Sequence, residues 1–180
     1  MAAGRSPQDD GVRTVVEPVV SGAGLFLEDV RLVRAGGATV VRITLDLPQD
    51  EVGSLDSDRL GEASRAISAA LDEADTVPGH YTLEVSTPGT SRPLTAPRHF
   101  RRARTRMVRL TLVDGSTVSG RVVDVVPAAD AAGDGAGGEA VVLDDGSRVA
   151  LDQVRKGKVE VELKRLEDDE AGAARDGEEG

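Results

Sequence analysis

Cysteine and tryptophan are absent from this sequence, and aromatic residues amount to only 2% of it. Without cysteine there are no disulfides, no thiolate metal sites and no cysteine nucleophile, a composition that fits a reducing compartment. With so few rings, any core has to be assembled from Val, Leu, Ile and Ala, and the many β-branched residues lean toward strands. No apolar run approaches the roughly 20 residues that span a bilayer. Residues 1–11 are polar where a signal peptide would carry an apolar core. The expectation is a soluble, unprocessed cytoplasmic protein with no membrane partner.

What is present is charge, and it is segregated. A formal net charge of −10 over 180 residues argues at first against a nucleic-acid partner. Its distribution reverses much of that argument. No acid lies between Glu84 and Asp114, whereas Arg92, Arg98, Arg101, Arg102, Arg104, Arg106 and Arg109 all fall in that window. Residues 167–180 hold seven acids and one arginine.

In chain order, residues 1–11 read as disordered. Val12, Val15, Val16, Val19 and Val20 follow helical spacing, with Pro18 expected to kink or shorten that helix. Residues 25–33 and 40–47 alternate with period two around Gly36 and Gly37, the pattern of a tight hairpin. Leu60, Ala63, Ile67, Ala70, Leu71 and Ala74 line one face of a helix over 56–75, capped by Ser54 or Asp56. Residues 81–86 form a third strand. The first domain, residues 12–92, therefore reads α-β-β-α-β. Beyond it the pattern is strands only, over 107–113, 117–126, 140–143, 147–151 and 158–163, with a turn over 152–157. Five short strands suggest a small barrel within a second domain, residues 93–166, giving an α+β chain. The Gly/Ala-rich stretch 127–139 reads as a flexible insertion, and 167–180 as an acidic disordered tail.

Chemistry is hard to place on this pattern. His80 and His99 stand nineteen positions apart with no carboxylate cluster at ligand spacing, so neither a metal nor a cofactor is expected. There is no phosphate-cradling Gly-x-x-x-x-Gly-Lys loop, and no nucleophile has a base beside it. The Asp144-Asp145-Gly146 run is a hairpin turn before it is an acid/base pair. The arginine window is the one functional signal. Spaced as Arg98, Arg101, Arg102, Arg104, Arg106 and Arg109, the guanidiniums are suited to a phosphate backbone, and Phe100 either stacks on a base or, the stronger reading, anchors the linker in a core. Pro88, Gly89 and Pro93 aim the exit of the third strand, with Gly89 permitting the bend and Arg92 acting structurally between them.

Tyr81, Leu83, Glu84, Val85, Ser86, Pro88, Gly89, Arg92, Pro93 and Leu94 fall at the spacing of the Y-x-L-E-V-S-S-P-G-x-D-R-P-L signature of the bacterial RimP family of ribosome maturation factors. The run from Leu55 to Asp72, His99-Phe100-Arg101-Arg102 and Val154-Arg155-Lys156-Gly157-Lys158 also resemble that family, over roughly residues 12–166. The resemblance implies a KH-like first domain and an Sm-like or SH3-like barrel. It also implies a non-catalytic role in assembling the small (30S) ribosomal subunit, with ribosomal RNA and a small-subunit ribosomal protein as partners of a monomer. Thr87 replaces a Ser of the pattern, Ser91 an Asp, and Thr105 a common Gly. Loss of a carboxylate at Ser91 removes one expected partner of Arg92. The Gly-x-x-Gly clamp of KH domains has no counterpart between two helices here, the spacing Gly135 to Gly138 falling in the Gly/Ala-rich insertion. A rival reading is a protein-docking adaptor whose barrel takes a basic ribosomal-protein segment, RNA contact being incidental.

Overall fold

A computed structural model describes residues 6–128 and 138–160 of the chain. The tail 167–180 and most of the 127–139 insertion lie outside them.

The first helix, α1 (Pro7–Gly22), begins five residues before the apolar spacing starts at Val12. Ser6 explains the earlier start. Its hydroxyl accepts from the Asp9 N–H at 3.2 Å, and the Asp9 carboxylate accepts from the Ser6 N–H at 2.8 Å. This reciprocal cap, with Pro7 in the first helical position, satisfies donors that the first turn leaves free. Residues 7–11 are therefore helical, not disordered as expected. Pro18 neither ends nor shortens the helix. It is exposed, so the hydrogen bond it removes is lost on the side where water can replace it. Val12, Val16 and Val20 are fully buried.

Strands β1 (Phe26–Ala35) and β2 (Ala38–Asp46) form the expected hairpin. Gly36 and Gly37 make the connection at φ 58° and 87°, a left-handed pair that suits the twist of the strands. Helix α2 (Ser57–Ala74) is capped by the Asp56 carboxylate, which accepts from Arg59 N–H at 2.8 Å. Strand β3 (Tyr81–Ser86) then runs parallel to β2, giving sheet order β1-β2-β3. Val30, Val41, Ile43 and Leu45 meet Val12, Val16, Ile67 and Leu71 in one core, so both helices cover one face of the sheet and leave the other open. At about 25 cal/mol per Å² of apolar surface, that burial is the main source of stability here.

Residues 87–106, read from sequence as turn and linker, contain β4 (Pro93–Leu94) and a one-and-a-half-turn helix, α3 (Pro97–Arg102). Phe100 is 2% exposed, buried with Leu94, Val108, Leu110 and Leu143 in a second core. Then follow β5 (Met107–Leu112), β6 (Thr117–Pro127), β7 (Glu139–Leu143), β8 (Arg148–Ala150) and, after a 3-10 turn at Leu151–Gln153, β9 (Val154–Val159). Among the described residues these make a six-stranded sheet in the order β4-β9-β5-β6-β7-β8, where five strands were expected. The added strand is the two-residue β4. The last strand also starts earlier than its expected position at 158. The short 3-10 turn completes the reversal, and Val154 already pairs with Leu112. Gly157 lies where β9 crosses Leu94 and Phe100; a Cβ there would sit 3.0 Å from Leu94 and 3.1 Å from the Phe100 ring. The described residues are thus α+β, with two cores and three α-helices.

Candidate functional site

The arginine window begins at the end of β3 and runs through α3, and most of it faces the first unit of the protein. A bulge in β1 prepares the receiving surface. The pairing with β2 slips between Leu27 and Asp29, so Glu28 and Asp29 fall together between core-facing Leu27 and Val30 and turn to the open face of the sheet. Asp46, last residue of β2, lies on that same face opposite Phe26.

Glu28 and Asp46 receive three guanidiniums. Arg92 Nη1 lies 2.9 Å from Glu28 Oε1, and its Nη2 is 3.8 Å from Asp46 Oδ2. Arg98 reaches both carboxylates at 3.3 and 3.6 Å, and its guanidinium stacks over the Phe26 ring, 3.5 Å from the centroid. Arg102 donates from Nε and Nη2 to Asp46 Oδ1 at 3.1 and 2.9 Å, and from Nη2 to the Gly53 carbonyl at 3.0 Å; its Nη1 donates to the Glu51 carbonyl. The Arg102 and Asp46 side chains are only 7% and 9% exposed. Such desolvated, multiply bonded charges hold position far better than surface pairs do.

His99 completes the cluster. Its Nδ1 accepts from the backbone N–H groups of Thr95 and Ala96 at 3.1 and 3.3 Å, so in the neutral ring the proton sits on Nε2. That proton is donated to Glu28 at 2.8 Å. Burial alone would raise the Glu28 carboxyl. The hydrogen bond from His99 and the charges of Arg92 and Arg98 overcome it and pull the pKa down to about 2.

The next arginines extend the seam. Arg101 donates to Gln49 Oε1 at 3.4 Å and pairs with Glu139. Arg104 donates to the carbonyls of Gln49 and Asp50 at 3.4 and 3.0 Å. The structure therefore brings Arg92, Arg98, Arg101, Arg102 and Arg104 together as a joint between the two sheets. Arg106 and Arg109 are exposed. Arg109 pairs with Glu160 at 2.7 Å and keeps 59% of its side chain open. Among the described residues the Arg106 side chain has no ion pair or hydrogen bond.

The signature residues divide similarly. The Tyr81 hydroxyl donates to Asp72 at 2.9 Å, tying β3 to α2, and burial together with that carboxylate pushes the phenol up to about 12. Glu84 pairs with Arg42 across β2 and β3 at 2.7 Å. The Gly89 carbonyl accepts from Arg92 N–H at 3.0 Å, closing the turn after Pro88. Gly89 does this without a left-handed backbone, so the bend does not need the conformational freedom expected of it. Pro93 and Leu94 pair with β9, and Leu94 is buried. Thr105 has φ 68°, a conformation that suits Gly far better than a β-branched residue.

The sequence reading did not find Glu28, Asp46 and His99 as members of the site. One sign of Glu28 is legible. The apolar alternation Leu25, Leu27 changes phase before Val30, Leu32, which is what a bulge does to a period-two pattern. Also unrecognised were the outward cations of β9: Lys158 stands directly opposite Arg109 and Lys156 opposite Thr111. Among the described residues no group of three or more His, Asp or Glu could hold a metal ion, and no helix is long and apolar enough to cross a membrane.

Residues 15–91 match the family model of the RimP N-terminal domain. The chain is 49% identical over 123 residues to the ribosome maturation factor RimP of Kineococcus radiotolerans, an alignment covering 65% of this chain and 59% of that protein. It is 38% identical over 178 residues to the ribosome maturation factor RimP of Frankia casuarinae, covering 90% of this chain and 62% of that one. The chain thus spans about three fifths of the length of these relatives.

Proposed function

Since the chain belongs to the RimP family, we propose that it is a ribosome maturation factor that binds the immature small ribosomal subunit without catalysing a reaction. The observation that carries this reading is the match of residues 15–91 to the RimP N-terminal domain. In the same reading, residues 12–92 are a KH-like domain and residues 93–166 an Sm-like or SH3-like barrel, and the protein works as a monomer in the cytoplasm. The fold name brings no KH-type clamp with it, because the α1–β1 and β2–α2 connections lack the Gly-x-x-Gly loop.

Within the arginine window the roles separate. Arg98, Arg101, Arg102 and Arg104 set the angle between the two sheets, and Arg106 and Arg109 face ribosomal RNA. Exposed guanidiniums gain from displacing phosphate counterions. Those in the joint would have to give up partly buried carboxylate and carbonyl partners first, whereas the Arg109 pair with Glu160 leaves 59% of the Arg109 side chain open. A second reading, docking of a basic small-subunit protein segment, draws on the net charge of −10 and on β8, which ends the second sheet.

Co-sedimentation tests the proposal. The protein should travel with immature and free small subunits and not with complete ribosomes; equal distribution over all fractions, or absence from the small-subunit fraction, overturns it. Binding to naked ribosomal RNA and to isolated small-subunit proteins, measured separately, decides between the two readings.

A further inference from the structure

Two hollows open side by side where the turn after β3 meets the edge of the second sheet. One, of about 150 Å³, has Pro88, Thr90, Arg92, Arg106 and Val159 among its walls. The other, of about 440 Å³, is lined by Thr90, Ser91, Arg109, Lys158, Val159 and Glu160. Thr90 and Val159 belong to both, so the hollows are two parts of one groove.

The strand register gives the groove its charge. Val108 and Leu110 are fully buried, and Gly157 lies against Leu94 and Phe100. The alternate residues, Arg109 on β5 with Lys156 and Lys158 on β9, therefore point outward. Among the described residues the side chains of Arg106, Arg155, Lys156 and Lys158 have no ion pair or hydrogen bond, unlike the cations of the joint. Glu160, paired with Arg109, is the one carboxylate lining the larger hollow. The opposite wall offers the hydroxyls of Thr90 and Ser91. Free cations facing hydroxyl donors across a narrow trough suit an anion that has several oxygens and extends along the trough. No Phe, Tyr or Trp lines either hollow, and the His99 ring in the wall of the smaller one is already held edge-on by Glu28 and the Thr95 and Ala96 N–H groups, so the groove offers no free ring for a base.

We propose that this groove binds the phosphodiester backbone of an RNA strand, with Arg106, Arg109 and Lys158 on phosphate oxygens, Lys156 flanking them, and no reading of the bases. The proposal rests on the ribosomal reading above and assigns its RNA contact to a particular surface.

The test is fluorescence anisotropy with labelled 12-nucleotide uridine and adenosine RNAs and the full chain, across a salt series. The double variant Arg109→Ala/Lys158→Ala should bind at least tenfold more weakly at low salt. Its slope of log affinity against log salt should fall by about 1.4, because each single-strand phosphate contact accounts for about 0.7. Ser91→Asp sets a carboxylate beside Arg109 and Lys158 and should weaken binding similarly, whereas Ser91→Asn and Arg34→Ala, the latter at the far end of β1, should bind like the wild type. The two RNAs should bind within a few-fold of each other. Wild-type affinity in both the double variant and Ser91→Asp overturns the groove, as does a preference above tenfold for one RNA. Wild-type protein that co-sediments with immature small subunits yet binds neither RNA overturns the groove and leaves the ribosomal role standing. Failure to co-sediment removes the role itself.

Discussion

Asp46→Asn should uncouple the two halves of the molecule. The wild-type joint sets Arg92, Arg98 and Arg102 against Glu28 and Asp46, an excess of one positive charge. The substitution removes one of the two carboxylate charges and raises that excess to two, in a place where the Arg102 side chain is 7% exposed. Removing one partner of a buried pair costs about 3–5 kcal/mol because the other is left uncompensated. The amide oxygen can still accept from Leu47 N–H, now bonded to Asp46 at 2.8 Å, so the lower end, about 3 kcal/mol, is expected. In urea, with a slope of about 1–2 kcal/mol per molar for each half, that corresponds to a midpoint lower by roughly 1.5–3 M. The chain supplies its own local probe. Tyr81 is its only tyrosine and there is no tryptophan, so tyrosine fluorescence follows the first unit while far-UV circular dichroism follows both. The two transitions should coincide in the wild type and separate in Asp46→Asn. A double-mutant cycle with Arg102→Met should give a coupling of about 1.5–3 kcal/mol. Coincident transitions in the variant, with a midpoint moved by less than about 0.5 M, would refute the claim that this carboxylate holds the joint.

Three further outcomes are expected. Holding the Glu28 carboxyl at about 2, against its ordinary 4.5, corresponds to roughly 3 kcal/mol, reduced to about 2 by solvent at the rim of the joint; a lowered folded-state pKa means this stability is complete above pH 4.5 and is lost as the pH falls toward 2. Glu28→Gln should flatten the pH dependence of unfolding in that window, and an unchanged profile would show that Glu28 is not held by the joint. Gly157→Ala should lower stability by about 1–3 kcal/mol, because its Cβ would enter the contact of β9 with Leu94 and Phe100; thermal unfolding at the wild-type midpoint would contradict that packing. Thr105→Gly should raise stability by about 1 kcal/mol by relieving a β-branched residue at φ 68°, which denaturant titration measures, and a loss would show that the Thr105 side chain makes a compensating contact.

The α-β-β-α-β order of the first unit was legible because each element there carries a long periodic signal. The Gly36-Gly37 turn and the apolar face of α2 announce themselves within a single window of sequence. Helix α3 was not legible: six residues are too few to display a period, and four of them are Arg or His. The role of the arginines failed to show for a different reason. A run without acids looks unpaired when read along the chain, yet Arg102 finds Asp46 across 56 positions and His99 finds Glu28 across 71. Only the folded hairpin, with its bulge, brings those carboxylates to the arginines. Phe100 went as its stronger reading had it, because a lone large ring beside Leu94 gains more from burial than from exposure.

The bulge at Glu28 has a consequence in time as well as in space. Glu28 and Asp46 are both in place once the first sheet is complete at Ser86, and Arg102 is made 16 residues after that strand ends. At about 5–20 residues per second of synthesis, that interval lasts roughly 1–3 s. During it the growing chain displays a shaped acidic notch not yet filled. Arg92 and then helix α3 are the basic groups of its own chain that reach that notch, and their arrival turns an acidic surface into the seam between the two halves.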